Sequence, residues 1–354
     1  MLHNFFKGNF TPPNCVNGCI TASKPRIEFV DLAKGVCILL VVFVHSRILV
    51  DPVPALEALR MPLYFILSGL FFKDYGSLYN FIEKKVNKIL IPFLFFYFFS
   101  LAILFLLDGK WGIYEIVRPI FDPNIHNGPL WFLSCLFIVN VMYCVISISV
   151  KGMFMKTLIV LICGIVGYIL SVNDIYLPMY VNVAFTALPF FYIGFILRKL
   201  PILYRNKFDR YNLIFSIVLI LPIIVYCIYN GTTPHVDFFA NKYYGNPFVI
   251  YVVSISLVVG LLLLCKAIKW IPIVAYFGRY SIIVLGFHYL FLLYGNIPVY
   301  VLTGHVMDSM EVFLFTLLLC WVSIPLCIKI VPGFTAQKDI FKWPKRLLPK
   351  IVKS

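Results

Sequence analysis

Charge is what this sequence has least of. Asp, Glu, Lys and Arg make up 13% of its 354 residues, where a soluble domain of ordinary composition carries about a quarter. Acidic residues are the scarcer half, 15 against 30 Lys and Arg, for a net charge of +15. The short signatures of familiar soluble enzymes are missing too. There is no GxGxxG run after a strand, no P-loop, no HExxH and no paired CxxC. Their absence argues against a nucleotide-fold enzyme or a metalloenzyme of familiar type. Cys15 and Cys19 are the only close polar pair among ten scattered cysteines, and no second pair follows, so no metal is expected. The first 25 residues hold Pro12, Pro13, Asn14 and Gly18 but no apolar core, so they are not a signal peptide. They read as a flexible cytoplasmic tail, 1–25.

What the chain has instead is apolar side chain, 62% of all residues, in long blocks. A helix of about 20 apolar residues spans the hydrocarbon core of a bilayer. Inside lipid, backbone polar groups must be satisfied within the structure, which leaves helices or closed barrels. Barrel strands alternate lipid-facing and lumen-facing residues, and these blocks do not. The expected fold is therefore an all-α integral membrane protein, a bundle of about ten transmembrane helices. The spans fall at approximately 30–50, 58–72, 89–107, 130–150, 156–172, 181–197, 211–229, 247–265, 273–295 and 311–331.

The cations test this layout. With the N-terminus inside, only Arg47, Arg60, Lys110, Arg118 and Lys242 fall in external loops, while Lys34 and Arg279 lie near the inner ends of spans. All the remaining Lys and Arg fall inside. Such a bias places both termini in the cytoplasm and accounts for the positive charge without nucleic acid. Residues 26–331 are expected to form the membrane domain. Residues 332–354 are expected as a basic cytoplasmic tail, resting on the anionic inner leaflet or solvated. External stretches near 108–128 and 230–246 are too short to fold alone.

Ionisable residues inside a span are costly and usually face a bundle interior or a wet cavity. The first span carries three. Asp31 and Lys34 are three residues apart and can pair on one helical face. His45 follows Lys34 by eleven residues and returns to within roughly 20° of the same direction, roughly 17 Å along the axis. Asp31 and Lys34 read equally as interface anchors or as a charged pair at a cytoplasmic mouth. His45 is the stronger functional candidate, because imidazole moves protons near neutral pH. Asp31 and His45 are the candidate catalytic residues.

Other positions join them. The second span contains Pro62 and the Ser68-Gly69 pair, which favour a kink and a close backbone approach. Lys85 and Lys88 share a helical face and, with Arg26 and Lys34, offer a cationic mouth for a phosphorylated ligand. Trp131 is either an interfacial aromatic or a stacking surface for a sugar. Late in the chain come Arg279 and Ser281, then His288, which shares a face with Ser281. His126, His235 and His305 are expected as solvated loop residues.

These motifs together resemble the acyltransferase 3 membrane family. The resemblance is carried by Arg26…Asp31-Leu-Ala-Lys34-Gly35…His45 and by Tyr64-Phe-Ile-Leu-Ser68-Gly69-Leu-Phe. Lys85-x-x-Lys88-Ile-Leu-Ile-Pro92, Trp131-Phe-Leu and Gly278-Arg279-Tyr280-Ser281…His288 extend it, over about 26 to 331. It implies a ten-span O-acyltransferase of the bacterial inner membrane that modifies surface carbohydrate. The implied co-substrate is an acyl-CoA, usually acetyl-CoA, reaching in from the cytoplasm with its phosphates near Arg26, Lys34, Lys85 and Lys88. The implied acceptor is a surface or lipid-linked glycan, near Ser68, Trp131, Arg279, Ser281 and His288. His45 would be a general base or an acyl relay. The family often has Arg at both positions occupied here by Lys85 and Lys88. Lysine keeps the charge but loses the bidentate grip on phosphate. Partners are then acyl-CoA, the glycan and membrane lipid, with no permanently bound cofactor. A transporter or flippase for a lipid-linked oligosaccharide would also use intramembrane charge, and remains the alternative reading.

Overall fold

The computed structural model describes residues 27–343 except 47, 49–53, 74, 110–111, 123–124, 199–210 and 270. Arg26, the expected tail 1–25 and residues 344–354 lie outside the described residues. The apolar blocks fold as helices. The first are α1 (Glu28–His45), α2 (Pro54–Leu70), α3 (Leu78–Lys85) and α4 (Ile91–Asp108), the last two joined by a π-helical turn, Val86–Leu90. Next come α5 (Ile113–Phe121), α6 (Trp131–Ser149), α7 (Met153–Val172), α8 (Val181–Leu197) and α9 (Asn212–Asn230). A short hairpin, β1 (His235–Asp237) and β2 (Lys242–Tyr244), leads to α10 (Pro247–Ile268), α11 (Pro272–Arg279), α12 (Ser281–Tyr294), α13 (Asn296–Thr303) and α14 (Ser309–Ile330).

Among the described residues, eight helical stretches are long and apolar enough to cross a membrane. α1 and α2 occupy the first two expected positions but fall short of that standard. α1 carries Glu28, Asp31 and Lys34 within 18 residues, and α2 has 17 residues. The chain is a multi-pass helical membrane protein. Its centre is α8, whose span is 72% buried, against 11% for α7 and 17% for α9. A helix that is apolar all round and still uncovered has lipid as its solvent.

Glycine fixes two crossings at the centre. Gly69 of α2 lies against the Phe191 carbonyl of α8, and Gly194 of α8 lies against the Ile66 carbonyl of α2. Gly35 of α1 meets the Val274 carbonyl of α11 in the same way, and Gly278 of α11 meets the Asp31 carbonyl. A Cβ at any of the four would push the backbones apart.

The expected span 273–295 is in fact broken. Tyr280 leaves the helical region at φ −112°, ψ 27°, so α11 ends and α12 begins at Ser281. The break lets α11 turn its glycine onto α1. The expected span 89–107 starts late, since helix already runs from Leu78. Pro92 explains the π-helical turn between α3 and α4. Its ring cannot sit against the carbonyl four residues back, and the ladder widens by one residue to clear it.

Two connecting segments have structure of their own. The hairpin pairs His235 with Tyr244 and Asp237 with Lys242. Its turn buries Phe238 between Phe65 of α2 and Phe190 of α8, at ring distances of 5.5 and 5.7 Å. Residues 332–343, the start of the expected basic tail, fold back as a strap across α3 and the π-helical turn. Asp339 pairs there with Lys84 and Lys88, and the Trp343 N–H donates to Glu83 at 3.0 Å.

Candidate active site

Four polar residues singled out by sequence line one cavity of about 230 Å³: Lys34 from α1, Ser68 from α2, Lys85 from α3 and Ser281 from α12. Its walls are otherwise apolar, with Ile38, Phe132, Leu136 and Leu285 prominent among them. Tyr64 closes one side. Its hydroxyl donates to the Lys34 carbonyl at 3.2 Å and is within hydrogen-bond reach of the Ser281 side chain. Ser68 is held by buried Asn140, whose amide donates to its Oγ at 3.0 Å. Lys85 lies over the Phe81 ring, 5.3 Å from its centre. A chamber lined by two cations and otherwise by hydrocarbon suits a ligand with an anionic head and a slender apolar arm.

Lys88 does not join Lys85. Its Nζ donates to the Ala336 carbonyl at 2.7 Å and lies 3.1 Å from Asp339 on the strap. Residues three apart share a face in an α-helix, but the wider π-helical turn rotates Lys88 away. Asp31 sits half-buried at the Gly278 crossing, about 21 Å along α1 from His45. The structure therefore does not bring Asp31 and His45 into contact. Arg279 is exposed at the end of α11 with its guanidinium 5.4 Å from the Tyr280 ring. Trp131, at the start of α6, is buried against Tyr180 and Phe239, at ring distances of 5.7 and 6.3 Å.

A histidine pair lies one hydrogen bond from the cavity wall. The carbonyl of Leu285, a wall residue, accepts a hydrogen bond from His288 Nδ1 at 3.0 Å, and so does that of Val284, also at 3.0 Å. The rings of His288 and His45 are 5.4 Å apart at 40°, and Tyr289 meets His45 edge-on at 5.8 Å. His288 is completely buried. His45, the last residue of α1, is exposed.

Sequence reasoning missed Arg60, which it counted among external loop cations. Arg60 is 5% exposed on α2, ion-paired with Glu57, with its Nε donating to the Leu56 carbonyl at 3.3 Å. It lies within electrostatic reach of His45, and Asp237 of the hairpin lies within reach of Arg60. The signal was present: Glu57 precedes Arg60 by three residues, the spacing of a helical ion pair. His126 was expected as a solvated residue and is instead half-buried, 3.0 Å from the Tyr294 hydroxyl through its Nε2.

The bundle and its chamber define a membrane-embedded protein with a polar site enclosed by its own helices. The family model described as an acyltransferase domain matches residues 27–331. The chain belongs to the acyltransferase 3 family, and it is a membrane acyltransferase. Comparison with curated proteins and with solved structures gave no match.

Proposed function

We propose that the protein is an O-acyltransferase that takes an acyl group, in the simplest case acetyl, from acetyl-CoA and passes it to a hydroxyl of a surface or lipid-linked polysaccharide. The observation that carries this reading is a cavity lined by Lys34 and Lys85, one of whose walls, Leu285, is hydrogen-bonded to His288 of the histidine pair. In this reading the lysines attract the donor's phosphates, and Arg26 would join them. Ten spans, counting α1 and α2, put both termini and the lysine end in the cytoplasm. The His45 end then faces outward, across the inner membrane of a bacterium.

The chemistry requires one base. The acceptor hydroxyl gives its proton to His45 as its oxygen bonds to the thioester carbonyl carbon. Collapse of the tetrahedral intermediate breaks the carbon–sulfur bond, and the thiolate leaves with the proton held by His45. An acyl-histidine relay would use the same two partners in two steps. Asp31 is too distant to assist His45 directly and serves the donor end. Ser68 and Ser281 contact the donor arm, whereas Trp131, Arg279 and His288 act around the substrates without lining the cavity.

The test feeds radiolabelled acetyl-CoA to inverted membrane vesicles and measures base-labile label in extracted glycan. Wild-type protein should give label and His45→Ala should give none at equal protein level. Full labelling by the variant would remove His45 from the mechanism. No label with either, given a suitable acceptor, would favour another donor or the transport reading.

A further inference from the structure

His288 has its two ring nitrogens committed to different tasks. Nδ1 lies 3.0 Å from two backbone carbonyls, Val284 and Leu285. A carbonyl oxygen only accepts, so Nδ1 must carry the proton. The neutral ring then has a bare lone pair at Nε2. That nitrogen is buried and has no partner among the described residues. A buried acceptor without a donor is costly, so its surroundings should supply one when the site works.

The His45 ring stands close enough to do so. An imidazole nitrogen lies about 1.2 Å from its ring centre, so rings joined by an N–H···N bond of about 3 Å have centres about 5.4 Å apart. The two rings stand at 5.4 Å. His288 is completely buried while His45 keeps accessible surface. An acceptor hydroxyl therefore meets His45 first, and His288 lies behind it. Arg60, also buried nearby, is a donor too, but its Nε and one terminal nitrogen are turned to the Leu56 carbonyl and to Glu57.

We infer that His288 is a positioning residue: its Nε2 accepts a hydrogen bond from the ring N–H of His45. This sets the His45 tautomer so that its other nitrogen presents a lone pair to the acceptor hydroxyl. When the hydroxyl proton moves to that nitrogen, His45 becomes a cation, and its bond to His288 becomes charge-assisted and stronger. The proton leaves with the thiolate, and both rings return to their starting forms. The inference rests on the reading of His45 as the base.

Two substitutions separate this role from a structural one. An asparagine amide reaches the position of Nδ1, so His288→Asn keeps a donor for the two carbonyls and offers His45 no acceptor. A glutamine amide reaches the position of Nε2, so His288→Gln loses those bonds but can turn its oxygen toward His45. If His288 positions His45, Asn lowers kcat by about 100-fold, on the scale of a lost general base. Gln then retains activity within about 10-fold of wild type, and donor KM moves little in either variant. If His288 serves only to tie down α12, the order reverses, with Asn active and Gln impaired.

Both variants are assayed for labelled acetyl transfer from acetyl-CoA to glycan in vesicles, with protein content matched and His45→Ala alongside. Gln above Asn, with His45→Ala inactive, supports the inference. Asn at or above Gln, or both at the wild-type rate, overturns it while leaving His45 as the base. A fully active His45→Ala overturns the reading beneath it, and the inference falls with that reading.

Discussion

Asn87 holds Phe341 by both of its backbone groups. The Asn87 amide donates to the Phe341 carbonyl at 2.8 Å, and its side-chain oxygen accepts from the Phe341 N–H, also at 2.8 Å. The same oxygen takes the Ile340 N–H at 2.8 Å, and the same amide donates to the Glu83 carbonyl at 2.8 Å. Asn87 is fully buried, so removing it leaves several backbone groups without partners. Asn87→Ala should cost about 1–3 kcal/mol, as unpaired buried groups do. The measurement is a lower thermal midpoint together with faster protease cleavage within 331–343.

Asp339 makes the strap sensitive to acid. Burial works to raise its carboxyl, but the hydrogen bond from Lys84 and the charges of Lys84 and Lys88 outweigh that and hold it below its ordinary value. A depressed acid stabilises the folded form fully above its ordinary pKa, about 4, and that contribution is lost as pH falls through the lower folded value. The pairs are partly exposed, so the effect should be no more than about 1 kcal/mol. The protection factors of the amides of residues 331–343, corrected for the intrinsic pH dependence of exchange, should fall on acidification in wild type. In Asp339→Asn the protection should already be lower at neutral pH and should change less with acid.

Lys85 and Lys88 should behave differently in the assay. Lys85 lines the cavity, whereas Lys88 is turned to the strap. Lys85→Ala should raise the KM for acetyl-CoA by about 10-fold with little change in kcat, the mark of lost donor binding. Lys88→Ala should change KM by less than about 3-fold and show instead as a lower thermal midpoint. Equal KM effects would mean that both lysines reach the donor.

The α1–α11 crossing should tolerate no side chain. A methyl group at Gly35 would run into the Val274 carbonyl, and one at Gly278 into the Asp31 carbonyl. Backbone cannot give way as a flexible side chain can, so Gly35→Ala should cost more than the 1–3 kcal/mol or so of ordinary overpacking. Little monodisperse protein should survive detergent extraction. Gly152→Ala, which meets open space, is the control and should extract like wild type.

The apolar blocks were legible because lipid imposes one length and one hydrogen-bonding solution. Their ends were not, where backbone events intervened. The Tyr280 break and the widened turn before Pro92 each altered which residues meet, and neither changes the hydropathy pattern. The gathering of Lys34, Ser68, Lys85 and Ser281 was foreshadowed only as separate polar positions, since four helices must pack before they share a space. Lys88 and Arg60 misled for one reason. A cation near a span end looks the same in sequence whether it faces water, a strap or a histidine of another helix. The His45–His288 proximity joins α1 to α12 across 243 positions of chain, and helical periodicity says nothing about such a distance.

The strap also sets an order of construction. Asn87 and Phe341 are 254 positions apart, so during synthesis the α3 surface must wait uncovered until every spanning helix has emerged. Glu83, Asn87 and the two lysines then meet their partners last, and their engagement reports that the whole bundle is in place. A ribosome halted just after α14 would release a protein with all its helices and an unfinished face at α3, a natural substrate for the cell's quality-control proteases.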